Sequence, residues 1–195
     1  MKRLFLLMLC TILLLLPMAY GCEMPSINLT FSNPPADDVN IFFDQLSKGN
    51  YAVAEDYIFN YSSAGFESKS DDPINQKIFE LLKKSRSVEI VEQGEVYGKS
   101  STVTIRLTTL DFRKLKASLT DKTLEEIKAR EFRGESFDTE EAIITVTCEI
   151  LDKMTPSISE YYSTNEFEVN MRLSDGKWKI VCTEELYSAL IGYAI

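Results

Sequence analysis

Histidine is absent from the 195 residues, tryptophan occurs once and cysteine four times. Without histidine there is no Ser-His-Asp or Cys-His nucleophile and no histidine-ligated zinc. The side chain that most readily carries protons near neutral pH is missing too, which leaves acid–base chemistry to carboxylates and tyrosines. Basic residues are in short supply, 21 Lys+Arg against 30 Asp+Glu, for a formal charge of −9. A chain this acidic, with no basic cluster, repels phosphates, so nucleic acid is not an expected partner. No Asp-x-Asp-x-Asp-Gly loop occurs. The adjacent acids Glu125-Glu126, Glu140-Glu141 and Glu184-Glu185 do not converge on one ion and read as solvated faces. No metal or cofactor is expected.

What is present begins with the N-terminus. Lys2 and Arg3 form a cationic head, Leu4 to Leu16 an apolar block, and Pro17 to Gly21 a breaker ending in small residues. That three-part plan is a secretory signal. The block is shorter than the ~18 to 20 apolar residues that span a bilayer as a helix, which favours a removed leader over a permanent anchor. Its end, Ala19-Tyr20-Gly21-Cys22, resembles the lipobox of bacterial lipoproteins. The resemblance implies that the Cys22 thiol takes a diacylglyceryl group and that cleavage follows on its amino side. Two or three acyl chains hold a protein at a membrane far better than one. Residues 1–21 are thus expected to be a lipoprotein signal peptide, and 22–36, rich in Pro, Ser and Asn, a flexible tether.

Residues 37–195 read as one α+β domain. Asp37 and Asp38 open an apolar-periodic stretch with Val39, Phe42, Phe43 and Leu46, closed at Gly49. A short helix is expected from Tyr51, carrying Ala54, Tyr57 and Ile58. Another follows Asp72 and Pro73, with Ile74, Ile78, Leu81 and Leu82 at helical spacing. After Ser87 the period changes to two, and a hairpin is expected across Gly98 to Ser100 with Val103, Ile105 and Leu107 facing inward. A charged helical insertion is expected near 111–133. Three further strands are expected, with inward faces Ile144, Val146, Cys148, Ile150; Phe167, Val169, Met171, Leu173; and Trp178, Ile180, Cys182. Polar residues fill the opposite face, as in an antiparallel sheet covered on one side. A short helix ends the chain.

Cys148 and Cys182 are the cysteines left after loss of Cys10 and lipidation of Cys22. An extracytoplasmic pair suggests a disulfide. In a simple meander the two lie two strands apart, roughly 9.5 Å, beyond the ~4.4 to 6.8 Å a disulfide needs between Cα atoms. The bond and two free thiols both stay open.

"FFDQLSKGNYAVAEDYI" (Phe42 to Ile58) resembles the opening helix pair of small bacterial lipoproteins, and "LSDGKWKIV" (Leu173 to Val181) their closing hairpin. These belong to the cystatin-like, or nuclear-transport-factor-2-like, cone: N-terminal helices packed on one face of a curved antiparallel sheet. The resemblance covers roughly Asp37 to Ile195, marks a fold, and carries no catalytic residue. It implies a lipoprotein of unknown function at the extracytoplasmic face of a cell membrane, with a Gram-positive envelope favoured.

The cone often encloses a pocket. Tyr57, Tyr61 and Trp178 are the candidate lining here, with Tyr161 and Tyr162 beside them, although aromatics at such spacings also serve as core. An enzyme needs a carboxylate or tyrosine projecting into a cavity. The expectation is therefore a binding module without catalysis, taking an envelope protein or a small apolar ligand; the alternative is a small hydrolase or isomerase. The insertion at 111–133 is the expected partner surface.

Overall fold

The computed structural model describes residues 33–60, 66 and 70–193. Cys22 and Tyr61 lie outside them, as do the leader and most of the tether. Helix α1 (Pro35–Lys48) opens on a proline at its first position and places Asp37 and Asp38 in the first turn, where the amide dipoles favour acids. The helix thus begins two residues inside the stretch expected to be a tether. Gly49, in the left-handed region at φ 76°, ends α1 by donating its N–H to Leu46. Helix α2 (Tyr51–Glu55) is shorter than expected. Beyond it the chain turns at Tyr57 and makes a single bridge at Ile58, where Ile180 donates to the Tyr57 carbonyl and accepts Phe59 N–H. Helix α3 (Pro73–Ser85) starts as its sequence predicts, with the Asp72 carboxylate accepting from Ile74 N–H at 2.9 Å.

Four strands form an antiparallel meander in chain order: β1 (Ser87–Gln93), β2 (Ser100–Leu110), β3 (Tyr162–Ser174) and β4 (Lys177–Val181). The β3–β4 turn has Asp175 at φ 55° and Gly176 at φ 76°, the two positive φ values a tight hairpin of matching twist requires. Between β2 and β3 run α4 (Phe112–Phe132), α5 (Glu140–Met154) and a short 3-10 segment (Thr155–Tyr161). Helix α6 (Glu184–Leu190), capped by the Thr183 hydroxyl, follows β4.

One expectation is overturned. Residues 144–150 were expected to be a strand and are part of α5, so Cys148 faces no sheet. Ile143, Ile144, Val146 and the two threonines Thr145 and Thr147 favour strand locally. Against that, Thr139 caps Ala142 N–H, Glu140 and Glu141 fill the first turn, and Val146, Ile150, Leu151 and Met154 make one buried stripe. The Thr145 and Thr147 hydroxyls donate back to the carbonyls of Glu141 and Ile143, one helical turn earlier. Burial of that stripe outweighs the propensity, which spans only about 1 kcal/mol per residue.

Two hydrophobic clusters result. In the first, α1 lies across the apolar face of the sheet, and Phe42 and Leu46 share one buried cluster with Val103, Ile105, Leu107, Met171 and Trp178. The second joins Leu82 of α3 and Leu115 and Leu119 of α4 to the α5 stripe. The outer face of the sheet carries Thr102, Thr104, Arg106, Glu166 and Glu168, with Arg106 bonded to Glu89 across the strands at 2.7 Å.

Candidate functional site

Trp178, expected as pocket lining, is core: it is 1% exposed within the sheet cluster. Tyr57 is half-buried at the rim, with Lys177 Nζ 4.9 Å above its ring and bonded in turn to Asp56 at 3.0 Å. Neither residue lines the groove described below. Tyr161 and Tyr162 stand apart from them, packed against the helical cluster, with Tyr161 Oη 2.9 Å from Ser118 Oγ.

Two buried carboxylates are committed to the main chain. Asp38, 2% exposed, accepts Trp178 N–H at 2.7 Å and the Asn33 amide at 3.0 Å. This ties the start of α1 to β4, and nothing in the sequence distinguishes Asp38 from an ordinary first-turn acid. Asp111, 7% exposed, accepts the N–H groups of Arg113 and Lys114 as the cap of α4. Neither aims a carboxylate into a cavity, so neither supplies acid–base chemistry where a ligand could sit.

The polar joints between elements follow the same pattern. Ser85 Oγ donates to Leu82 O and accepts Leu110 N–H at 2.9 Å, linking α3 to the end of β2. Beside it the Arg86 guanidinium donates to Leu190 O at 3.0 Å, at the carbonyl end of α6, where a cation is favoured. Burial pulls its pKa down to about 10, against the raising influence of Tyr51, so it stays charged at neutral pH. Asn60 Nδ2 and Oδ1 bond the Cys182 carbonyl and N–H, extending the cover over the β4 edge. That asparagine serves the backbone.

The thiols of Cys148 and Cys182 are free. The disulfide left open above is not formed, because Cys148 rides on α5 while Cys182 belongs to the sheet cluster. Burial pushes the Cys182 thiol up to about 11 and raises that of Cys148 as well, so neither is an activated nucleophile.

The groove of greatest chemical interest among the described residues lies in the helical half. It holds about 460 Å³, within the ~300 to 1,000 Å³ of small-molecule sites. Ile74 and Ile78 of α3 and Phe112, Leu115 and Leu119 of α4 supply its apolar surface. Phe112 N–H donates to Gly192 O at 2.8 Å, and the Phe112 ring meets Tyr193 edge-on at 5.8 Å. A Cβ at Gly192, which holds φ 87°, would stand 3.0 Å from that ring. The turn that follows α6 is thereby clamped to the start of α4. Arg113 and Lys116 stand on the groove's rim, exposed. The segment expected to carry a partner surface is therefore the one that builds the groove.

No protein-family model matches the chain, and no curated protein matches it. Among solved structures it aligns with the crystal structure of a candidate lipoprotein, YcdA, from Bacillus subtilis. The identity is 20%, the alignment covers 82% of this chain and 47% of that one, and the TM-score is 0.41. This chain spans about half the length of that protein. No helix among the described residues is long and apolar enough to cross a membrane.

Proposed function

We propose that the mature chain is a lipid-anchored, extracytoplasmic binding module of a bacterial, by preference Gram-positive, cell envelope, built on the nuclear-transport-factor-2-like plan and without catalysis of its own. One observation carries the reading: the apolar block that ends in Ala19-Tyr20-Gly21-Cys22, with small residues at the two positions a lipoprotein peptidase would grip. Acylation of Cys22 would leave the folded residues on a short tether, within reach of membrane-borne or envelope molecules. The binding role is supported by the groove between α3 and α4, and the non-catalytic role by the commitment of Asp38 and Asp111 to backbone amides.

Cells producing the full chain and its Cys22→Ala variant, fed an alkyne-bearing palmitate, test the anchor. The expected outcome is label on the parent chain and its recovery in the detergent phase of a Triton X-114 separation, with the variant unlabelled and aqueous. Equal partitioning of the two chains would sink the anchor.

A further inference from the structure

We infer that the groove between α3 and α4 binds a single-chain amphipathic anion, its acyl chain along the groove and its charged head between Arg113 and Lys116. The inference deepens the binding-module reading and rests on it. Two features of the groove decide the chemistry of the occupant. Its surface is mostly apolar, drawn from Ile74, Ile78, Leu115 and Leu119, so most of the occupant's area must be hydrocarbon. Its volume of about 460 Å³ suits one chain of medium length and is too small for the paired chains of a complete phospholipid.

The rim decides the head. Among the described residues, Arg113 and Lys116 take part in no ion pair, although acids outnumber bases 30 to 21 in the whole chain. The neighbouring Lys114, by contrast, lies 3.8 Å from Asp111, and Arg130 further along α4 bonds both Glu126 and Glu149. Two unsatisfied cations one helical turn apart, at one mouth of an apolar trough, are complementary to a carboxylate or phosphate carried on a hydrocarbon. A neutral alcohol or a quaternary amine would gain the apolar contact and leave both cations without a counter-charge. The same head chemistry is offered by a free fatty acid and by a lysophospholipid of an anionic class, and an envelope supplies either.

The test uses the full chain in the membranes of producing cells and a photoreactive, diazirine-bearing dodecanoate as probe. Label is read by peptide mass spectrometry. The expected result is label on the peptides that contain Ile74, Ile78 and Leu115 to Leu119, displaced by unlabelled dodecanoate. Dodecanol should compete roughly tenfold more weakly, the order expected from losing two partly solvated charge contacts. The double variant Arg113→Glu, Lys116→Glu should lower labelling by a similar factor. Both positions are exposed, and Arg113→Lys should restore labelling in a single-site series if the double variant folds poorly. Stronger competition by lysophosphatidylglycerol than by dodecanoate assigns the ligand to membrane lipid, and the reverse order to free fatty acid; both support the inference. Label outside the groove, equal competition by dodecanol, or no response to charge reversal in a folded variant each overturns it. The detergent partition of Cys22→Ala is read separately, so loss of the ligand and loss of the anchor are distinguishable.

Discussion

The sheet half and the helical half of this domain solve burial in different ways. In the sheet half, α1 is laid over a continuous apolar face, and Val39, Phe42, Leu46, Val103, Ile105 and Leu107 are completely enclosed. In the helical half, α4 is twenty-one residues long but buries only Leu115, Leu119 and Thr123; Leu124 is half exposed and Phe132 is 95% exposed. The difference teaches where a ligand can enter. A core packed like a crystal leaves no room for one, whereas three helices of which one has a narrow apolar stripe leave a trough. Charge then does what packing does not: Arg130, held by Glu126 on its own helix at 2.9 Å, joins α4 to α5 by bonding Glu149.

The largest expected effect sharpens that contrast. Phe42→Ala removes a ring packed edge-on against Phe43 at 5.1 Å and near Phe66 at 6.3 Å, and is expected to cost about 3 to 5 kcal/mol in urea unfolding. Leu119→Ala, on the groove wall, is expected to cost about 2 kcal/mol, because the groove beside it already admits solvent. Trp178, the chain's single tryptophan, reports the sheet half by fluorescence in both variants. Equal losses would mean that the two halves differ in shape and not in packing energy.

A smaller effect is expected from Asp38→Ala, which leaves the buried Trp178 N–H without its acceptor. The cost should be about 1.5 to 3 kcal/mol, with Asp38→Asn recovering part of it through its amide oxygen. Thermal melts of the two variants measure this. If Asp38→Ala melts like the parent, the carboxylate does not tie α1 to β4.

The smallest expected effect is of pH. The Arg130 hydrogen bond holds the Glu126 carboxyl below its ordinary 4.5, so the charged form is favoured in the folded chain. The stability this gives is present above 4.5 and lost as pH falls through the lowered folded value. Amide exchange in α4 should therefore quicken on acidification, and in high salt, before Trp178 fluorescence changes. Simultaneous loosening of both halves would show that the Arg130 link does not set the order of opening.

The sheet half was also the more legible half. Gly49 after Lys48 and Asp175-Gly176 between two alternating runs are local signals whose chemistry acts within a few residues, and each stands where expected; in the helical half only Asp72 before Pro73 does the same. The helical half misled at residues 144–150, since a run of β-branched residues reads as strand until its buried stripe finds partners on α3 and α4. The groove was missed for a related reason. Ile74, Ile78, Leu115 and Leu119 are ordinary helix-core residues in sequence, and only the incomplete closure of three helices turns them into a wall. Trp178, expected beside Tyr57 as lining, fills the core, because aromatic spacing does not distinguish filling a core from lining one.

By itself, then, the sequence determined the α+β class, the C-cap of α1 and the N-cap of α3, the inward faces of β2, β3 and β4, and the leader-like run ending at Cys22. Each rests on periodicity or on bonds between near neighbours. Tertiary structure decided that residues 140–154 coil, that Asp38 reaches β4, that Asn60 covers a strand edge, that Cys148 and Cys182 stay apart, and that Arg113 and Lys116 share the rim of one groove. Those outcomes depend on contacts between segments up to 140 residues apart, whose free energy no local pattern encodes.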